Sequence, residues 1–147
     1  MIDEIRKLVE YARTDKTSKN KIVIIDKISD READLIKRKT NFDLTGYIHV
    51  IDKSAINHTL KFHGSVGGGL RGQIAVKETD FILIPEILKS ENIIYSNKDK
   101  IGNDCLLYQA EIDSVYYYIV EIRTGKKQLA MQTMYKRKRK SKNSFLW

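Results

Sequence analysis

Four apolar, strand-like segments close the chain with almost nothing between them, and that spacing constrains the fold more than any other feature. NIIYS, DCLLYQAEI, SVYYYIVEIR and KQLAMQTMYK follow one another, separated by NKDKIGN, DS and TGKK. Connections that short leave no room for the long crossovers that parallel neighbours need, so an antiparallel meander follows. Ahead of the meander the periodicity is helical. Ile2, Ile5, Leu8, Val9 and Ala12 recur at helical spacing, and Ser29 with Asp30 caps a helix running through READLIKRKT. Asp52 or Ser54 opens DKSAINHTLKFHG, which Gly64 closes, and Thr79 begins a further helical stretch to about Lys89. Pro85 fits only a first turn there. KIVIID and YIHVID are short strand candidates. Helices first and a sheet afterwards predict an α+β fold, N-terminal helices followed by a four-stranded, mainly antiparallel sheet.

At 147 residues the chain suits one compact domain, with no internal repeat and no linker. No apolar run approaches the roughly 20 residues needed to cross a bilayer, and MIDEIRKLVEYARTDK lacks a signal-peptide core. A cytoplasmic site of action and no membrane partner are therefore expected. Cys105 is the single cysteine, so no internal disulfide forms, and its apolar surroundings read as a buried structural thiol. The net charge is +8, but KRKRKSK (residues 136–142) carries six positive charges and leaves the remainder at +2. The strongest attraction for phosphate thus sits in one tail, where a solvated terminus is the plainer alternative.

NHTLKFHGSVGGGLRGQ holds the densest chemistry. At about 100° per residue, His58 and Lys61 lie about 60° apart on a helix, and His58 and His63 about 140° apart. Helical spacing alone does not aim both imidazoles at one ligand; a chain that swings at Gly64 could. HxxxxH misses the i, i+4 pairing of zinc-binding helices, so no metal and no cofactor is expected. Imidazole titrates near neutrality, and a neighbouring lysine or arginine can stabilise the charge of a phosphodiester transition state. His58, Lys61, His63 and Arg71 are the residue types that metal-free RNA cleavage requires. The plainer alternative makes them exposed polar residues flanking core positions Ile56, Leu60 and Phe62. GGGLRG lacks the lysine and hydroxyl of a phosphate loop and fits a flexible connection equally well. His49 shares a strand face with Tyr47 and Ile51 and reads as a core or edge histidine.

Near the C-terminus, Tyr116, Tyr118, Val120 and Ile122 share one strand face, and Tyr117, Ile119, Glu121 and Arg123 the other. The second face offers a carboxylate and a guanidinium beside bulky side chains, as a nucleotide-binding surface would; a cross-strand ion pair for Glu121 is the alternative. Thr133 and Tyr135 share a face of the last strand. A three-residue loop, 125–127, would set Glu121 opposite Met131 and put Thr133 on the Glu121 face; a two-residue loop would separate them.

With these residues in view, the stretch from about Tyr47 to Lys136 resembles the barnase/EndoU/colicin/RelE-like nuclease toxins, in their phage-associated and polymorphic-toxin branches. The resemblance rests on a short strand, then NHTLKFHG, LRGQIAV, an IPEIL segment and a meander ending in TMYK. It implies a nuclease core over 46–136, an accessory helical portion over 1–45 and a basic tail over 137–147. It also implies metal-independent cleavage of RNA, tRNA among the targets, to a 2′,3′-cyclic phosphate, and a cognate immunity or antitoxin protein as partner. The site residues it implies are His58, Lys61, His63, Arg71 and Thr133, with Asn57, Glu121, Tyr135 and Lys136 contacting substrate. His58 is assigned as base and His63 as acid. Two other classes stay open: a non-catalytic nucleic-acid-binding module, for which the basic tail and tyrosine-rich strand would suffice, and a structural domain of a phage protein.

Overall fold

The computed structural model describes residues 1–65 and 72–138. Helix α1 (Ile2–Thr14) buries Ile5, Leu8, Val9 and Ala12, the apolar stripe of its 3.6-residue period. Strand β1 (Ile22–Lys27) leads to α2 (Asp30–Thr40). The Glu32 amide donates to Ser29 Oγ at 3.1 Å to cap α2, and Asn41 ends it in the left-handed region at φ 67°. Strand β2 (Ile48–Asp52) runs straight into α3 (Lys53–His63), and the Ala55 amide donates to Asp52 Oδ1 at 2.8 Å. Gly64 closes α3, and a Cβ there would lie 2.3 Å from the Leu60 carbonyl oxygen, so only glycine fits.

Strand β3 (Gln73–Ile74) is two residues long. The expected helix from Thr79 to Lys89 is instead a 3₁₀ helix (Glu78–Leu83) that restarts as the short α4 (Ile84–Ile87). Pro85, which lacks an amide hydrogen, occupies the first turn of that restart. The meander follows as expected: β4 (Ile93–Lys98), β5 (Asp104–Ile112), β6 (Val115–Arg123) and β7 (Gln128–Lys138), each antiparallel to the next. Asp113 and Ser114, both at positive φ, make the two-residue turn between β5 and β6.

The sheet is larger than the four strands read from the sequence. Among the described residues seven strands, in the order β1-β2-β7-β6-β5-β4 with β3 also on β7, form one mixed sheet. The two segments KIVIID and YIHVID, left outside the sheet by that reading, join it because β2 pairs parallel with the start of β7. Beyond β2 the same edge of β7 is covered by α3, where the Met134 amide donates to Thr59 Oγ1 at 3.1 Å. Farther along, β3 pairs with β7 at Lys136 and Arg137. The inner face of the sheet supplies Leu106, Tyr108, Tyr117, Ile119, Leu129, Met131 and Met134 to one hydrophobic cluster with Ile5, Leu8, Ile36, Phe81, Ile84 and Ile87. Each such fully buried side chain contributes about 1.5–3 kcal/mol relative to exposure. No helix among the described residues is long and apolar enough to cross a membrane.

Three local readings are corrected. The 125–127 loop does set Glu121 opposite Met131, but a β-bulge at Gln132 then pairs Val120 with Thr133. One extra residue reverses the facing beyond it, so Thr133 leaves the Glu121 face. The face offered as a nucleotide surface is the inner one: Tyr117, Ile119 and Glu121 are buried. Phe62, taken as core, is 47% exposed.

Candidate functional site on the outer sheet face

The bulge at Gln132 puts Thr133, Tyr135 and Arg137 on the same face as Tyr116, Tyr118 and Val120, their partners on β6. The rings of Tyr118 and Tyr135 stack across the two strands, 4.8 Å apart and 10° from parallel. His63, the last residue of α3, brings its imidazole to 5.5 Å from the Tyr135 ring. Its Nδ1 lies 3.0 Å from Oε1 of Gln73, and Gln73 is the β-sheet partner of Arg137. Sequence positions more than 70 residues apart thus meet because α3 and β3 share one edge of β7.

Two polar atoms of this face stand out. Among the described residues, Thr133 Oγ1 and Arg137 Nε are buried and have no hydrogen-bond partner. A buried polar atom left unpaired costs about 1–3 kcal/mol, and such atoms are uncommon in folded proteins. Burial raises the Tyr118 and Tyr135 phenols above their ordinary value, the Arg137 cation opposing it only in part. Both rings therefore stay neutral at physiological pH and present uncharged faces to whatever lies on them.

His58, Lys61 and Asn57 occupy the exposed side of α3. The His58 ring lies 4.7 Å from the Phe62 ring, over which Lys61 Nζ also sits at 5.3 Å. Partial burial, then the charges of His63 and Lys61, hold the His58 imidazolium below its usual pKa. The structure therefore gathers His58, Lys61 and His63 at the C-terminal half of α3, with His63 alone in ring contact with the sheet.

Glu121 and Lys136 are not brought there. Glu121 is fully buried on the inner face, where both its oxygens meet His49 Nδ1, at 2.8 and 3.0 Å. Lys136 points inward too, pairing with Asp80 at 2.8 Å and lying over the Tyr117 ring. Arg71 and residues 139–142 of the basic run lie outside the described residues. Among the described residues no group of three or more His, Cys, Asp or Glu side chains is arranged to hold a metal ion.

Sequence reasoning missed Gln73, Tyr118 and Arg137 as members of this cluster. Arg137 was legible: Thr133, Tyr135 and Arg137 repeat with the period of two that places them on one face. It was hidden inside a charge run read as tail. Gln73 carried no such signal, because a two-residue strand has no periodicity.

No curated protein and no solved structure matches the chain. A family model does: residues 26–144 match the family described as phage-Barnase-EndoU-ColicinE5/D-RelE like nuclease3. The matched span runs from β1 beyond β7 and takes in the cluster on the outer face. The chain belongs to this nuclease family, PBECR3.

Proposed function

We propose that this nuclease cuts RNA by transesterification without a metal, with the phosphodiester lying across the outer face beside His63 and Arg137. The observation that carries the reading is the pair of orphaned, buried polar atoms, Thr133 Oγ1 and Arg137 Nε, flanking the Tyr118–Tyr135 stack. A hydrogen-bond donor held ready without a partner, as Arg137 Nε is, serves a developing phosphorane charge, and Thr133 Oγ1 offers a second donor to the adjoining backbone. Stacked neutral phenols are a platform for unpaired bases, each worth about 1–3 kcal/mol.

In this mechanism His63 removes the 2′-hydroxyl proton and the freed oxygen attacks phosphorus. The bond from phosphorus to the 5′ oxygen breaks, and His58 returns a proton to that leaving oxygen. The order reverses the one read from the sequence. His63 is the imidazole in ring contact with the sheet that carries the phosphodiester, whereas His58 sits on the exposed side of α3. Thr133 and Arg137 are about 13 Å apart along the strand, so one phosphate does not meet both. Arg137, the strand partner of Gln73, holds the non-bridging oxygens at the scissile bond, and Thr133 holds a neighbouring phosphate. Lys61 adds a cation near the leaving group. As a toxin-type domain, the protein would take tRNA among its substrates and a cognate immunity protein as its inhibitor.

Incubation with total RNA and with tRNA in excess chelator, followed by end-group analysis, tests this. The expected product ends in a 2′,3′-cyclic phosphate with a free 5′-hydroxyl. Cleavage that the chelator abolishes, or 5′-phosphate ends, would overturn it. The Tyr118–Tyr135 stack also favours a second reading, a module that binds single-stranded RNA and leaves it intact. Binding that survives His63→Ala, with no cleavage by the wild type, would select that reading.

A further inference from the structure

His63 is held on three sides. Its backbone carbonyl accepts from the Val76 amide at 2.7 Å, its ring face lies against Tyr135, and its Nδ1 meets Gln73 Oε1 at 3.0 Å. A carboxamide oxygen only accepts, so that contact requires a hydrogen on Nδ1. Neutral imidazole carries one ring proton, and with Nδ1 protonated the lone pair belongs to Nε2. This is the tautomer that an unconstrained histidine disfavours in water. The Tyr135 ring face offers no hydrogen-bonding atom to choose between the two nitrogens, which leaves the choice to Gln73.

Gln73 is well placed to impose it. Its backbone is fixed to β7 through pairing with Arg137, and its neighbour Ile74 pairs with Lys136. The same β7 carries the Tyr135 ring, so the acceptor and the ring it orients are referred to one strand. With Oε1 toward the ring the carboxamide pairs with Nδ1–H, and with its NH2 toward the ring it would pair with a bare Nδ1, so the orientation of Gln73 and the tautomer of His63 are set together.

We propose that Gln73 is a positioning residue that holds neutral His63 as its Nδ1–H tautomer, making Nε2 the atom that accepts the 2′-hydroxyl proton. The catalytic half of this statement rests on the ribonuclease reading above; the tautomer does not. No covalent bond is made to Gln73. It receives one hydrogen bond and passes orientation, not a proton, to the base.

Long-range ¹H–¹⁵N correlation on labelled protein, above the His63 titration, reads the tautomer directly. The expected wild-type pattern shows a protonated Nδ1 and a bare Nε2. Gln73→Leu should move the equilibrium toward Nε2–H. It should also lower single-turnover cleavage about tenfold or more, within the ~10²–10⁴-fold that a positioned base contributes, with KM little changed. Gln73→Glu keeps the acceptor and adds charge. It should retain the Nδ1–H tautomer, raise the His63 midpoint and shift the acid limb of the pH–rate profile to higher pH. A wild type dominated by Nε2–H, or a Gln73→Leu variant with an unchanged tautomer, overturns the proposal even if RNA is cut. The expected tautomers with no cleavage by the wild type support the positioning role and remove the ribonuclease reading instead.

Discussion

Two histidines sit on opposite faces of one sheet, and their partners give them opposite characters. His49, on the inner face, is 2% exposed and bridges two carboxylates: Nδ1 meets Glu121 at 2.8 Å and Nε2 meets Glu32 at 3.0 Å. Burial alone would lower its pKa, but Glu121 and Glu32 outweigh burial and raise it to about 10. An imidazolium so tightly held keeps its proton at neutral pH and serves as a tie between α2, β2 and β6. His63, on the outer face, meets a neutral carboxamide and a phenol ring instead. The charge of the partner, more than the histidine itself, separates a structural clamp from a ring held only by neutral groups.

Substitution at the two positions should therefore give exchanged phenotypes, and this is the largest effect expected. His63→Ala should lower RNA cleavage by about 10³-fold or more and leave the urea midpoint almost unchanged. His49→Leu should lose about 3–5 kcal/mol of stability, because it strands the Glu121 and Glu32 carboxylates, while cleavage per folded molecule stays near wild type. Urea denaturation and single-turnover assays on both variants check the pair. Loss of activity in folded His49→Leu would break the comparison.

Adjacent residues of β7 allow the same contrast at smaller scale. Arg137 faces outward with an unpaired Nε; Lys136 faces inward against Asp80. Arg137→Ala should cost about 10²-fold in cleavage rate with little change in stability. Lys136→Ala should cost about 2 kcal/mol in stability with little change in rate. Equal losses of rate in both would mean that β7 does not separate the two roles.

What the sequence made legible follows the same division. Local patterns carried the meander, the cap at Ser29 and the stop at Gly64; they offered Asp52 beside Ser54 as the cap of α3 and left the loop before β7 open between two and three residues. His49 read as a core or edge position and is buried. The facing of the sheet was not legible, because it depends on His49 meeting Glu121 from 72 residues away. Glu121 read either as a surface group or as half of an ion pair within the sheet, and its buried contact with His49 selects the second. The bulge at Gln132 left no mark in composition, yet it decides which face Thr133 joins. The gathering of His63 with Tyr135 and Gln73 depends on α3 lying along the edge of β7, a tertiary arrangement that helical angles could not supply.

Measured per pH unit, the smallest effect is a slope, and it isolates the inner histidine from the outer one. The His49 pKa is about 10 in the fold against an ordinary 6.5. A raised pKa means that its contribution is complete below pH 6.5 and is lost as pH climbs toward 10. Over that window stability should fall by up to about 1.4 kcal/mol per pH unit from this group. Glu32 acts at the other end. Burial opposes its ionisation, but the hydrogen bond and charge of His49 win and lower its pKa, so its contribution disappears only as pH falls below the usual carboxylate range. Urea midpoints from pH 6.5 to 9.5 should therefore decline in the wild type and in His63→Ala alike, and flatten in His49→Leu. A decline that persists in His49→Leu would assign the alkaline loss to other groups and remove the ion-pair clamp from the inner face. A decline abolished by His63→Ala would mean that the outer histidine, too, is held as a cation, and a residue so held could not serve as the base.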